Sequence, residues 1–266
     1  MDGEFTGKEI YQDLFSPRGY LDTYYDPKKG ILVTDGFLDF ALRKLHEAFT
    51  TRGVKGEVLI DIGHGPTIYQ DLSACESFKE IIGADYTDRN REYYEGALRN
   101  DPGTFDWTGV IKQVCEMEGK GTTVEEKREK LRNTVKRTVK CDVTKSKPLH
   151  PLVLPQVDCV MTLGCLECAC KDLDTYRDVL KNISTLLKIG GHLIITEILN
   201  CTTYYLGGKW FSCLSLSEEF LRNAITEAGY AIIDLEVIPR PYDKDQYRLC
   251  DHDSSFFILA RKVRDI

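Results

Sequence analysis

LIDIGHGPTIYQ, residues Leu59 to Gln70, carries an apolar strand straight into Gly63-His64-Gly65, then a turn and a helix start at Pro66-Thr67. Glycine at such a corner lets the backbone turn tightly and approach a ligand without a Cβ collision. The pattern therefore places a nucleotide-like ligand at the carboxyl end of the strand EVLIDIG, Glu57 to Gly63. Taken alone, Gly-x-Gly fits a tight structural turn equally well, and its surroundings weigh the choice. Asp85 ends a second apolar run, EIIGADY, 22 residues after Gly63. A carboxylate there is placed to accept hydrogen bonds from ribose hydroxyls. Asp142 follows a third run, VKRTVKCDV (Val135 to Val143), whose later part is expected to be the strand, on the same sheet edge. The third glycine of Gly-x-G-x-x-Gly is missing, for position 68 is Ile. That glycine allows close helix packing beside a pyrophosphate. S-adenosylmethionine has a ribose and an adenine but a methionine in place of phosphates. The residues thus favour the methyl donor over a nicotinamide dinucleotide, with an NAD-dependent oxidoreductase and a non-catalytic cofactor-binding protein as the competing classes.

Outward from this loop, VDCVMTLG (Val157 to Gly164) and HLIITEIL (His192 to Leu199) are further short apolar runs, and EVIPRP and SSFFILARK read as two final strands. Continuous rather than alternating hydrophobicity marks strands covered on both faces, hence a parallel sheet. Between them lie amphipathic stretches at Asp88 to Asn100, at Leu173 to Leu187 ended by Gly190-Gly191, and at Ser217 to Ala228 ended by Gly229. The alternation predicts one doubly wound α/β domain over residues 1–266: a Rossmann-like, seven-stranded, mostly parallel sheet. Residues 1–50 form a helical N-terminal cap, with FLDFALRKLHEAF at helical spacing, and residues 101–134 interrupt the sheet. Thr122 and Glu125 in that insert have capping-box spacing. Its Lys and Arg residues interleave with Glu125, Glu126 and Glu129, which reads as a solvated helix rather than a nucleic-acid patch.

The bulk numbers narrow the partners. Lys and Arg number 35 against 42 Asp and Glu, a net charge of −7 that argues against a polyanion binder. The first thirty residues lack a basic stretch leading into an apolar one. No apolar run approaches the roughly 18 residues of a membrane span. A cytoplasmic protein is expected, working as a monomer on a small molecule, with no nucleic acid and no membrane. Its ten cysteines are expected to be reduced, and the sequons at Asn182 and Asn200 unused. Cys165-x-x-Cys168-x-Cys170 lacks a second set of paired ligands, and the five histidines show no ligand spacing, so no metal is expected.

Longer stretches carry a family likeness. FTGKEIYQDLFSPRGYLDTYY, IDIGHGPTIYQ, DYTDRNRE, FDWTGVIKQVCEMEG, EEKREKLR, VKCDVT, LLKIGGHL and FFILARK together resemble the small-molecule methyltransferases that include the nicotinamide, indolethylamine (thioether) and phenylethanolamine N-methyltransferases. The likeness runs nearly end to end. It implies the class I methyltransferase fold and transfer of a methyl group from S-adenosyl-L-methionine, leaving S-adenosyl-L-homocysteine. It also implies roles by position. Tyr20 and Tyr25 belong to a segment that folds over the ligands, and Tyr20 reaches the acceptor too. Gly63, His64 and Gly65 line the methionine part of the donor, with Tyr69 near its carboxylate. Asp85, Tyr86 and Asn90 hold the ribose side, Asp142 and Val143 the adenine, and Leu163 lies alongside. His64 departs from the serine usual in this family. Acceptor contacts fall to Glu197, Cys201, Tyr204, Cys213 and Tyr242. Cys201 and Cys213 stand where the nicotinamide enzyme has amide-binding serines, and thiols are weaker partners; FSC, ECAC, TDRNRE and GGHL look more like the indolethylamine branch. The implied reaction is in-line displacement at the methyl group by a nitrogen lone pair of a small amine or azaheterocycle. A thioether or a phenylethanolamine-type amine is the alternative acceptor. Glu197 is the candidate to position an amine and receive its proton.

Overall fold

A computed structural model describes residues 5–241 and 248–266. Four helices lead in: α1 (Lys8–Leu14), α2 (Pro17–Tyr24), α3 (Ile31–Thr34) and α4 (Phe37–Phe49). Ser16 caps α2 by accepting from the Gly19 N–H, and Pro17 fills the first helical position, where its missing N–H costs nothing. Then come β1 (Gly56–Ile62), α5 (Asp71–Ala74), β2 (Phe78–Asp85), α6 (Asp88–Arg99), α7 (Thr108–Glu118), α8 (Val124–Thr134) and β3 (Val135–Lys140). The second half holds β4 (Val157–Leu163), α9 (Leu166–Ala169), α10 (Leu173–Ser184), β5 (Leu187–Leu199), β6 (Thr203–Leu206), β7 (Lys209–Ser212), α11 (Glu218–Glu227), β8 (Tyr230–Pro239) and β9 (Ser254–Lys262).

The main sheet has seven strands in the order β3-β2-β1-β4-β5-β9-β8. The pairs β1 with β2, β1 with β4, β2 with β3, and β4 with β5 are parallel; β9 runs antiparallel to both β5 and β8. Successive side chains serve opposite faces. Leu59, Ile81, Cys159 and Met161 join the core shared with α4 and α7, whereas Ile60, Ile82 and Val160 join the one packed against α10 and α11. The carboxyl ends of β1, β2, β4 and β5 consequently meet along one rim.

Several local expectations shift. The third strand begins at Val135, directly after α8, because β3 is an edge strand whose Lys136, Arg137 and Lys140 stay in or near solvent. The capping box sits one residue later, at Thr123 and Glu126. Gly190-Gly191 does not cap a helix: α10 ends at Ser184, and both glycines lie within β5, where the pairing with β4 changes register. Pro66-Thr67 opens a turn, with the single-turn α5 starting only at Asp71. The hairpin β6–β7 was unforeseen. Gly229, with φ of 84°, does follow α11 as its left-handed stop.

Candidate active site

A cavity of about 440 Å³ opens along that rim. Its floor is the loop after β1. Gly63 and Gly65 have φ of 70° and 57°, and a Cβ on Gly63 would meet Cys165 Sγ at 2.2 Å, so only glycine fits. Gln70 pins the loop from beneath, donating to Asp61 Oδ2 at 2.8 Å and to the Thr67 carbonyl at 2.9 Å. Asp61 and Asp71 lie in this buried layer, and Tyr94 donates to Asp71 at 2.6 Å. Burial pushes both carboxyls up, Asp71 to about 7.

His64 lines this floor and stacks its ring on Tyr94 at 4.1 Å between ring centroids. Space for it comes from Gly83, where a Cβ would meet the imidazole Cδ2 at 3.2 Å. Burial pushes the imidazole pKa down. The neutral ring donates from Nδ1 to the Gly65 carbonyl at 2.5 Å, bracing the loop. Gly65 in turn donates its N–H to Asp85 Oδ2 at 2.9 Å. Asp85 also accepts from the Thr87 N–H at 2.8 Å, the Thr87 hydroxyl at 3.0 Å and Asn90 Nδ2 at 3.3 Å. The second acidic corner is thereby tied to the glycine loop by direct bonds.

At the next strand end, Asp142 Oδ1 accepts from the Thr144 N–H and hydroxyl, at 3.1 and 2.6 Å. Its Oδ2 accepts from Lys8 Nζ of α1 at 2.5 Å. Burial alone would raise this carboxyl; Lys8 and Thr144 outweigh it and hold the pKa below the usual range. Tyr86 lies under two ammonium groups, Lys8 at 5.6 Å and Lys140 at 4.8 Å from its ring centroid. Val143 and Leu163 supply apolar wall.

The far end is aromatic. Tyr20 sits 5.7 Å from Tyr25, and Tyr25 5.6 Å from Tyr69, between ring centroids. Tyr204 on β6 donates to Tyr11 of α1 at 2.8 Å. Glu197, near the end of β5, accepts from the Leu166 N–H at 2.8 Å and from Tyr176 at 3.3 Å. Beside it on α9 stands Glu167, which sequence reasoning missed. Both are buried cavity-lining carboxyls. Burial pushes both pKa values up, Glu197 to about 7, and their mutual repulsion raises Glu167 further. Side by side, ionisation of one disfavours ionisation of the other. Glu167 Oε2 is buried and accepts no hydrogen bond from a donor among the described residues.

The expected residues thus gather in one place, with two exceptions. His64 lines the cavity with its neighbours, while its ring braces the loop through the Gly65 carbonyl and packs on Tyr94. Cys201 is buried one layer behind the wall formed by Cys213 and Cys250. Tyr242 lies outside the described residues. Among the described residues, no three His, Cys, Asp or Glu side chains are grouped to hold a metal ion, and no helix is long and apolar enough to cross a membrane.

The sequence model of the NNMT/PNMT/TEMT family matches residues 3–263. Indolethylamine N-methyltransferase of Oryctolagus cuniculus is 47% identical over 98% of this chain and 98% of its own. Nicotinamide N-methyltransferase of Sus scrofa is 45% identical over 99% and 98%. Phenylethanolamine N-methyltransferase of Rattus norvegicus is more distant, 40% identical over 94% and 88%. Among solved structures, magnesium protoporphyrin IX methyltransferase from Synechocystis with bound SAM superimposes with a TM-score of 0.60 at 11% identity. It covers 98% of this chain and 100% of its own, a likeness of fold.

Proposed function

The chain belongs to the NNMT/PNMT/TEMT family and is a small-molecule N-methyltransferase dependent on S-adenosylmethionine; from that premise we propose that its acceptor is an amine carrying an aromatic or apolar body. The observation that carries this reading is the buried pair Glu167 and Glu197 at the aromatic end of the cavity. A neutral amide gains little from two adjacent carboxyls, whereas an alkylammonium supplies a positive charge and N–H donors that complement them.

The glycine loop and Asp85 fit the donor's methionine and ribose: the loop leaves no side chain in the way, and Asp85 is fixed before any ligand arrives. Asp142, Tyr86, Val143 and Leu163 fit an adenine. When bound, the donor supplies an electrophilic methyl on a sulfonium that is already a good leaving group. The protein's work is then to align, desolvate and deprotonate. Tyr20, Tyr25 and Tyr204 hold the amine's body; Glu197 with Glu167 takes its proton, because an alkylamine has a pKa near 10 and must lose one to expose its lone pair. Tyr11 and Lys8 on α1 close the roof and exclude water. The ten free cysteines fit a reducing compartment such as the cytoplasm.

The test is methyl transfer from labelled S-adenosylmethionine to nicotinamide, quinoline, tryptamine, phenylethanolamine and dimethyl sulfide. Preference for tryptamine or phenylethanolamine is the expected result. Turnover confined to pyridine or quinoline nitrogens would overturn the amine reading, and preference for dimethyl sulfide would make the apolar, thiol-bearing wall the determinant.

A further inference from the structure

Methyl transfer gives the four thiols grouped at the acceptor end no chemical step of their own. Cys168 follows Glu167 on α9, and its Sγ lies 3.7 Å from the Sγ of Cys213, just past β7. Behind them, Cys201 Sγ lies 3.8 Å from Cys250 Sγ, and Cys250 Sγ lies 3.0 Å from His252 Nδ1. Such a group invites a metal, but its members are not placed to hold one. Pairwise contact instead suits thiol oxidation.

Of the two pairs, Cys168 and Cys213 both line the cavity, whereas Cys201 is walled off from it. The segments bearing them are already tied, since the Leu214 N–H donates to the Glu167 carbonyl at 2.7 Å. Closing the two sulfurs from contact to a bond of about 2.05 Å needs a movement of less than about 2 Å, within reach of side-chain rotation. Cys168 is half-buried; Cys213 is buried, and its contacts with Cys168 and Cys201, reinforced by burial, push its thiol pKa up. Their roles are therefore unequal: Cys168 meets an incoming oxidant, and Cys213 resolves.

We propose that Cys168 and Cys213 are an oxidisable pair, and that the disulfide they form under a hydroperoxide closes the acceptor end of the cavity. The Cys168 thiolate attacks the peroxide, forming an S–O bond as the O–O bond breaks; the displaced alkoxide takes a proton and leaves as alcohol, or as water if the oxidant is hydrogen peroxide. The Cys213 thiol then attacks the Cys168 sulfur, forming the S–S bond, and the hydroxyl leaves as water with the Cys213 proton. Two thiols lose two electrons and two protons in all, and a dithiol reverses the change. The bond ties α9, which bears Glu167, to the segment after β7 and holds the acceptor wall shut against an incoming body, while Asp85 and Asp142 lie at other strand ends. The effect on catalysis rests on the amine reading of the cavity; formation of the disulfide does not.

The full chain, treated with tert-butyl hydroperoxide and then alkylated, is digested and mapped by mass spectrometry. The expected product is one peptide linking Cys168 to Cys213, absent after dithiothreitol, with the acceptor KM raised about tenfold or more and the Kd for S-adenosylhomocysteine within about twofold. In Cys168→Ser and Cys213→Ser proteins the linked peptide is absent, and peroxide leaves each variant's own acceptor KM in place. Recovery of both residues alkylated after oxidation, or linkage of other cysteines in their stead, would overturn the pair. Linkage with an unmoved acceptor KM would overturn closure. An untreated protein that methylates no amine defeats the function proposed above, and the peptide map is read independently of it.

Discussion

Glu197 carries the sharpest consequences at the scale of single residues. Its carboxyl is fully buried against Glu167 and lifted to about 7 by burial. Proton transfer from an ammonium needs an ionised acceptor, so kcat/KM for an amine is expected to rise with pH through about 7. Glu197→Gln is expected to lower kcat/KM by about 10²-fold or more and to flatten that limb, checked by a pH profile of initial rates. Stability moves oppositely. A folded-state pKa raised above the unfolded value of 4.5 gives a contribution fully present below 4.5 and lost as pH climbs through about 7. The amount is on the order of 3 kcal/mol. The melting temperature of Glu197→Gln relative to the parent should accordingly increase from pH 5 to pH 8, which differential scanning calorimetry measures. Asp85 supplies a separate test on the donor side. Asp85→Ala removes the acceptor that joins Gly65, Thr87 and Asn90, and is expected to weaken S-adenosylhomocysteine binding about 10- to 100-fold by titration calorimetry.

Among the elements, α1 behaves as a strap. Lys8 reaches Asp142, Gln12 donates to Asp88 at 3.0 Å, Tyr11 accepts from Tyr204, and Thr6, just ahead of the helix, exchanges bonds with Ser212 at the end of β7. Lys8→Ala is expected to speed donor dissociation several-fold in stopped flow while changing stability by less than about 1 kcal/mol, since the pair is partly exposed. The elements also show where sequence pattern suffices. Strands β1, β2 and β4 are apolar runs ended by Gly or Asp, β5 is one followed by Asn200, and their strand-end residues come together along one cavity. TTVEEKRE offers two capping registers one residue apart, and the later one prevails because it turns Lys127 and Leu131 inward. Gly190-Gly191 resembles a helix stop in isolation; only pairing of Leu187 with Val157 makes it part of a strand. Glu167 was illegible for a similar reason. It lies 30 residues from Glu197, and nothing local to LECAC announces that two strand ends will set these acids side by side. The packing of the His64 ring was illegible too, because Gly83, which makes room for it, sits on another strand.

For the whole molecule, the insert between β2 and β3 is bolted to the body through a buried ammonium. Lys127 of α8 lies 2.7 Å from both Glu118 of α7 and Glu76 after α5. Lys127→Ala strands the buried Glu118 carboxylate and is expected to cost about 3–5 kcal/mol in urea denaturation, with Lys127→Met, which keeps the packing, costing less. This tie fixes the insert against the body beneath the rim. The proposed donor and acceptor ends are parts of a single cavity lined in part by α1 and α2, so both reactants and both products are expected to pass the same strap. Each departure is then expected to break the contacts of Lys8 and Tyr11. A roof fastened more firmly shields the methyl group better and frees the spent donor more slowly. At saturation the turnover number is then a compromise between shelter and traffic, and loosening the latch at Lys8 should quicken the cycle until water begins to enter.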